Sequence, residues 1–189
     1  MLKKQFILLP VLAVTLISGC ASVNDSPEIS AIGYTKGDIC TGQIDNIPDG
    51  LTPVSDPALL AEASGEPGKG KLCTGQVFEA TQPVRVYRVW NSEKDYTKYG
   101  RWWSFEQPVG PKDKYRKDNG ICPSWSSLDV MTHCDIKVGA RVVVGPGQSA
   151  RCKKFTFDQS AVNQVYISND TRENRLWVEA CSQATAWPE

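Results

Sequence analysis

The run Val84-Arg85-Val86-Tyr87-Arg88-Val89-Trp90 alternates so that Arg88 shares a face with Val84, Val86 and Trp90. Successive side chains of a strand point to opposite faces. If the apolar face is inward, Arg88 is a buried cation, and such a charge is very costly without a partner. An internal Asp or Glu would satisfy it. So would a ligand phosphate, which the planar guanidinium fork suits. The sequence leaves both open. Downstream come Gly100-Arg101-Trp102-Trp103-Ser104-Phe105, Tyr115-Arg116 and Cys122-Pro123-Ser124-Trp125. Later come Gly145-Pro146-Gly147-Gln148-Ser149 and Asn163-Gln164-Val165-Tyr166-Ile167. Singly these are weak signals, because an aromatic pair is usually core and Gly-Pro-Gly usually a turn.

As an ordered set, over about residues 76–181, these motifs resemble modules at the ends of secreted bacterial toxins. Those modules form the ADP-ribosyltransferase and NAD-glycohydrolase-like group, including its tuberculosis-necrotizing-toxin-like branch. The resemblance implies NAD as substrate, Arg88 as its phosphate ligand, and Trp103 with Ser104 as the wall of a nicotinamide pocket. It implies that Gln164 lies near the ribose bond being broken, with Arg116 and Gln148 as secondary residues. Loss of nicotinamide leaves an oxocarbenium-like ribose, which a positioned amide or carboxylate can stabilise. A carboxylate can also deprotonate an acceptor, and a glutamine cannot. Gln164 therefore implies hydrolysis rather than transfer, unless Glu106 or Glu179 stands close by.

Compartment decides what the cysteines can do. The chain opens Met1-Leu2-Lys3-Lys4, continues almost wholly apolar from Phe6 to Ile17, and reads Ile17-Ser18-Gly19-Cys20. Two positive charges, a short apolar run and small residues before a cysteine form a secretory signal with a bacterial lipobox. The run is shorter than the roughly 20 residues a spanning helix needs. Residues 1–19 are thus expected to be removed and Cys20 acylated, anchoring the chain to a membrane. Ala21, where an Asp would retain the protein at the inner membrane, directs it to the outer membrane, with the face it occupies left open.

Six further cysteines, Cys40, Cys73, Cys122, Cys134, Cys152 and Cys181, form an even set in an oxidising compartment and read as a disulfide framework. Fifteen pairings exist for six cysteines. Short-range closure favours Cys122–Cys134 and Cys152–Cys181, which leaves Cys40–Cys73 to join the two Cys-Thr-Gly-Gln segments. Zinc is disfavoured, with no C-x-x-C spacing and a single histidine, His133. No metal or cofactor is expected beyond NAD as a substrate.

The elements follow from pattern. Residues 20–37 read as a flexible tether, 38–72 as an acidic loop-rich segment, and 73–189 as a disulfide-rich, mainly β domain. Within the second, Asp56 and Pro57 suit the start of a short helix over 56–64. Strands are expected at 84–90, at 136–144 with an interruption at Gly139, at 162–168, and at 175–181 as a hairpin partner of the last. One short helix is expected between Asn91 and Cys134. The fold class is mainly β (α+β): a small, twisted, mostly antiparallel sheet with long aromatic loops.

Charge is uneven. Residues 21–66 hold eight acids and one base, and residues 85–117 hold nine bases and four acids. A near-neutral, lipidated chain does not suit nucleic acid, and a lone His133 without Gly-x-Ser-x-Gly does not make a serine hydrolase. Three functions stay open: a binding module for a protein or envelope component, an NAD-cleaving enzyme, and an exclusion or immunity-type lipoprotein that captures a protein partner.

Overall fold

The computed structural model describes residues 39–187. The apolar leader, Cys20 and the tether through residue 37 lie outside the described residues. Eleven strands and two α-helices follow. In chain order they are β1 (Leu51–Pro53), α1 (Pro57–Ala63), β2 (Gln76–Ala80), β3 (Val84–Trp90), β4 (Trp102–Trp103) and α2 (Lys112–Asp118). Then come β5 (Val130–Ile136), β6 (Arg141–Gly147), β7 (Ala150–Arg151), β8 (Thr156–Phe157), β9 (Ser160–Ile167), β10 (Val178–Glu179) and β11 (Thr185–Ala186).

One sheet runs β1-β2-β6-β9-β4, and all its pairs are antiparallel. Its centre is β6, whose Val142-Val143-Val144 run is buried on both faces, as a continuous apolar run requires. The second sheet is built on β5. Strand β3 pairs along its whole length, from Val84↔Ile136 to Trp90↔Val130, and the short β10 and β11 share the other edge. The two sheets join where Tyr87 exchanges hydrogen bonds of 2.8 and 2.9 Å with Ser104. Between them lies the main core, with Phe78, Val142, Val144, Val165 and Ile167 meeting Val84, Val86, Ile136 and Val178. Helix α1 covers the other face of the first sheet, setting Leu60 and Ala63 against Val77, Val143 and Tyr166. Its start is fixed by the Asp56 carboxylate, which accepts the Leu59 amide at 3.1 Å. This is the mainly β, mostly antiparallel fold expected.

Three local expectations are corrected. The stretch 136–144 is not one strand. β5 stops at Ile136, Gly139 turns the chain at φ +82°, and β6 starts at Arg141 in the other sheet. Residues 175–181 do not form a hairpin with β9, because β10 pairs with β5 through Val178↔Ile136. The cysteines join as Cys40–Cys73, Cys122–Cys152 and Cys134–Cys181. Short-range closure misjudged the last two. Cys134 is an inward residue in the middle of β5, wholly buried and opposite Val86. It meets Cys181 because β10 runs beside that strand. Cys122 ends the turn after α2 and meets Cys152 at the end of β7.

A candidate ligand cleft

A cleft of about 250 Å³ opens where β3, β4 and β9 face α2. Strand β3 contributes Arg88 and Val89, β4 contributes Trp102 and Trp103, and β9 contributes Gln164. Helix α2 and the turn after it add Tyr115, Asn119, Gly120 and Ile121. The rim is formed by Trp125, Ser126 and Leu128 together with Lys69 and Lys71 from the turn after α1. Among the described residues, three cations and four large aromatic residues line this space, and no carboxylate does.

Arg88 is held by main-chain carbonyls. Its Nε donates to Thr97 O at 2.9 Å and its Nη1 to Trp102 O at 2.6 Å. No carboxylate pairs with it among the described residues, so the internal salt bridge is not how its charge is met. Its Nη2 makes no hydrogen bond with any described residue. Burial pulls the guanidinium down to about 10, with the Tyr115 hydroxyl acting in the other direction. It therefore remains a cation at neutral pH. Tyr115 is pushed up to about 12 by burial, against the opposing effects of Arg88 and the Val89 backbone. It stays a neutral hydroxyl.

Gly100 makes room for this arginine. A Cβ there would stand 2.2 Å from Arg88 Nη2 and 2.5 Å from Cζ. The same residue's carbonyl accepts the Trp103 indole N–H at 2.7 Å, so one backbone unit positions both the cation and the aromatic wall.

Gln164 is 6% exposed, yet its side-chain amide makes no hydrogen bond with any described residue. Gln164 lines the cleft. Nearly every buried amide in a folded protein is partnered. A Cβ on Gly147 would lie 2.7 Å from the Gln164 nitrogen; the bulge in the β6–β9 register at Pro146/Gly147 gives the amide its space.

Of the residues singled out from sequence, Arg88, Trp103 and Gln164 share this one cleft. Ser104, Arg116 and Gln148 do not line it. The Ser104 hydroxyl turns to main-chain oxygens, donating to Glu106 O at 2.8 Å. The Gln148 side-chain oxygen accepts from the Ser149 backbone at 2.7 Å and from Gln159 at 3.3 Å, which fixes the turn before β7. Arg116, also 6% exposed, clamps the rim loop through Nη2, which donates to Ser126 O at 2.7 Å and Ser127 O at 3.1 Å. Its Nη1 is buried without a partner. Glu106 and Glu179, the carboxylates nearest in sequence context, lie outside the lining.

Sequence reasoning missed Lys69 and Lys71, which it read only as part of the acidic loop-rich segment 38–72. The signal available was Gly68-Lys69-Gly70-Lys71, two cations spaced by glycines that let the backbone bend tightly. Lys71 itself sits at φ +69°, a left-handed conformation that costs a non-glycine residue about 1–2 kcal/mol. Strain of this kind tends to collect at functional sites.

No family model matches the chain, and no curated protein matches it. A solved structure similar to it is that of Tne2 in complex with Tni2, at a TM-score of 0.42 and 14% identity, covering 62% of this chain and 97% of the matched one. A likeness of that size leaves the site to be argued from its own residues.

Proposed function

We propose that the cleft binds NAD and hydrolyses its nicotinamide–ribose bond. The observation that carries this reading is the pairing of two polar groups in one space, the Nη2 of Arg88 and the amide of Gln164, neither of which has a hydrogen-bond partner among the described residues. An anionic phosphate answers the first. The ribose carbon, as it becomes cationic, answers the second through the Gln164 amide oxygen. Trp103 supplies the flat apolar wall that a nicotinamide ring needs.

The chemistry asks little of the protein. The C1′–N bond breaks, and its electron pair neutralises the positive ring nitrogen of the departing nicotinamide. Water adds to C1′ and releases its proton to solvent, giving ADP-ribose. Fixed dipoles aimed at the developing charge are the main catalytic means here. With no carboxylate among the described lining residues to activate a protein acceptor, hydrolysis fits better than transfer.

The test is nicotinamide release by the purified, oxidised chain. Release is expected from the native protein, with at least a hundredfold loss in Arg88→Ala and in Gln164→Ala at unchanged circular dichroism. Equal rates in all three would rule the cleft out. The lack of a carboxylate also favours a second reading, a binding module that holds the dinucleotide without turnover. ADP-ribose binding with no nicotinamide release at any protein concentration would select it. The reading includes an envelope location, with Cys20 acylated and the domain tethered to the outer membrane. An unacylated residue 20 in native material, by intact mass, would remove that part and leave the cleft chemistry standing.

A further inference from the structure

The rim of the cleft has a composition that neither Arg88 nor Gln164 explains. Trp125 lines the cleft and is nevertheless 52% exposed. Its ring edge lies where a Cβ on Gly70 would be 3.7 Å away, so the indole sits against the turn that carries Lys69 and Lys71. The loop beneath it is unusually well fixed for a loop. The Trp125 amide donates to Cys122 O at 2.9 Å. Cys122 is bonded to Cys152, and Arg116 holds the carbonyls of the two residues that follow Trp125. Beside it stand Lys69, whose ammonium has no partner among the described residues, and Lys71, whose ammonium donates to Glu62 O at 2.8 Å.

We infer that Trp125 and Lys69 form a second subsite, in which the indole stacks on the purine ring of a dinucleotide and the lysine meets its outer phosphate. The inference rests on the NAD reading of the inner cleft and assigns the far half of the same ligand. A half-exposed indole on a fixed loop is already organised for stacking, which tolerates any base because every base has a π-face. An unpartnered ammonium beside it adds the charge a phosphate needs. The subsite makes Trp125 a specificity residue, because it contributes to binding of the dinucleotide and touches no reacting atom.

The experiment compares NAD with nicotinamide mononucleotide, which lacks the purine half, as substrates of the native chain and of Trp125→Ala. For Trp125→Ala the expected result is a KM for NAD raised about tenfold, unchanged kcat, and unchanged kcat/KM for the mononucleotide. An equal loss with both substrates, or no loss with either, would overturn the subsite. If the native chain cleaves neither substrate, the catalytic reading is lost, and the subsite is then judged by AMP binding in equilibrium dialysis. Saturable binding weakened about tenfold in Trp125→Ala supports it, and no binding to the native chain refutes it.

Discussion

At the scale of single residues, the cleft depends on positions with almost no side chain. Gly100→Ala would push a methyl to within 2.2 Å of the Arg88 guanidinium, which cannot yield without leaving the carbonyls of Thr97 and Trp102. The expected result is at least a tenfold loss of NAD affinity by titration calorimetry, with about 1–3 kcal/mol of stability lost in urea. Lys71→Gly works the other way. It relieves a left-handed lysine and should raise stability by about 1 kcal/mol, while weakening dinucleotide binding. A loss of stability there would mean that the Lys71 contact with Glu62 outweighs the strain. The alternation that put Arg88 on an inward face was legible, because period 2 is written in the residue types. Its partners were not, because a main-chain carbonyl such as Thr97 O leaves no mark in the sequence. Nor does a dihedral angle, so Lys71 looked like any loop lysine.

At the scale of elements, what holds the cleft wall is a long-range bond. The Cys122–Cys152 disulfide closes a 30-residue separation, and replacing both cysteines by alanine should cost about 2–4 kcal/mol. Thermal unfolding of the oxidised double variant measures this; an unchanged midpoint would contradict it. A second element-level device sits just past β9. Asp170 caps the short 3-10 turn Thr171–Glu173. Its carboxyl is held well below its ordinary value near 3.8, at about 2, first by the Arg172 side chain and then by the Arg172 backbone and charge and by Arg101, against the pull of burial. The folded value is the lower one. Its contribution is therefore full above about pH 4 and lost as pH falls toward 2. Asp170→Asn should flatten the acid limb of a stability–pH curve in that window and leave the slope above pH 5 unchanged. The helix start at Asp56 and the strand at 84–90 were legible because capping and alternation are local. The stretch 136–144 was not, because Gly139 hands the chain from one sheet to the other, and only the neighbours of each half reveal that. The same non-locality hid the pairing of Cys134 with Cys181.

At the scale of the whole molecule, the first sheet and the strand pair β3–β5 set three motifs from distant parts of the chain around one opening. Arg88, Trp103 and Gln164 come from three strands, and the hydrogen-bonded link from β9 toward β3 runs through β4 and the Tyr87–Ser104 junction. Their order along the chain was readable, and their convergence required the fold. The acidic bias of residues 21–66 and the basic bias of 85–117 are unequally represented here. Arg88 comes from the second stretch and Lys69 and Lys71 from the turn just beyond the first, and among the described residues no acid lines the cleft. That imbalance, more than any single residue, points to an anionic ligand, and screening by salt should weaken its binding.

The central claim is that this opening breaks the nicotinamide–ribose bond. The most direct measurement is product accumulation from NAD under oxidising conditions, with nicotinamide and ADP-ribose quantified against protein. The account predicts the two products in equal amounts, many per molecule of native chain, and at least a hundredfold slower accumulation with Gln164→Ala. Absence of nicotinamide with protein and NAD at equal concentration, or products undiminished in Gln164→Ala, would contradict it.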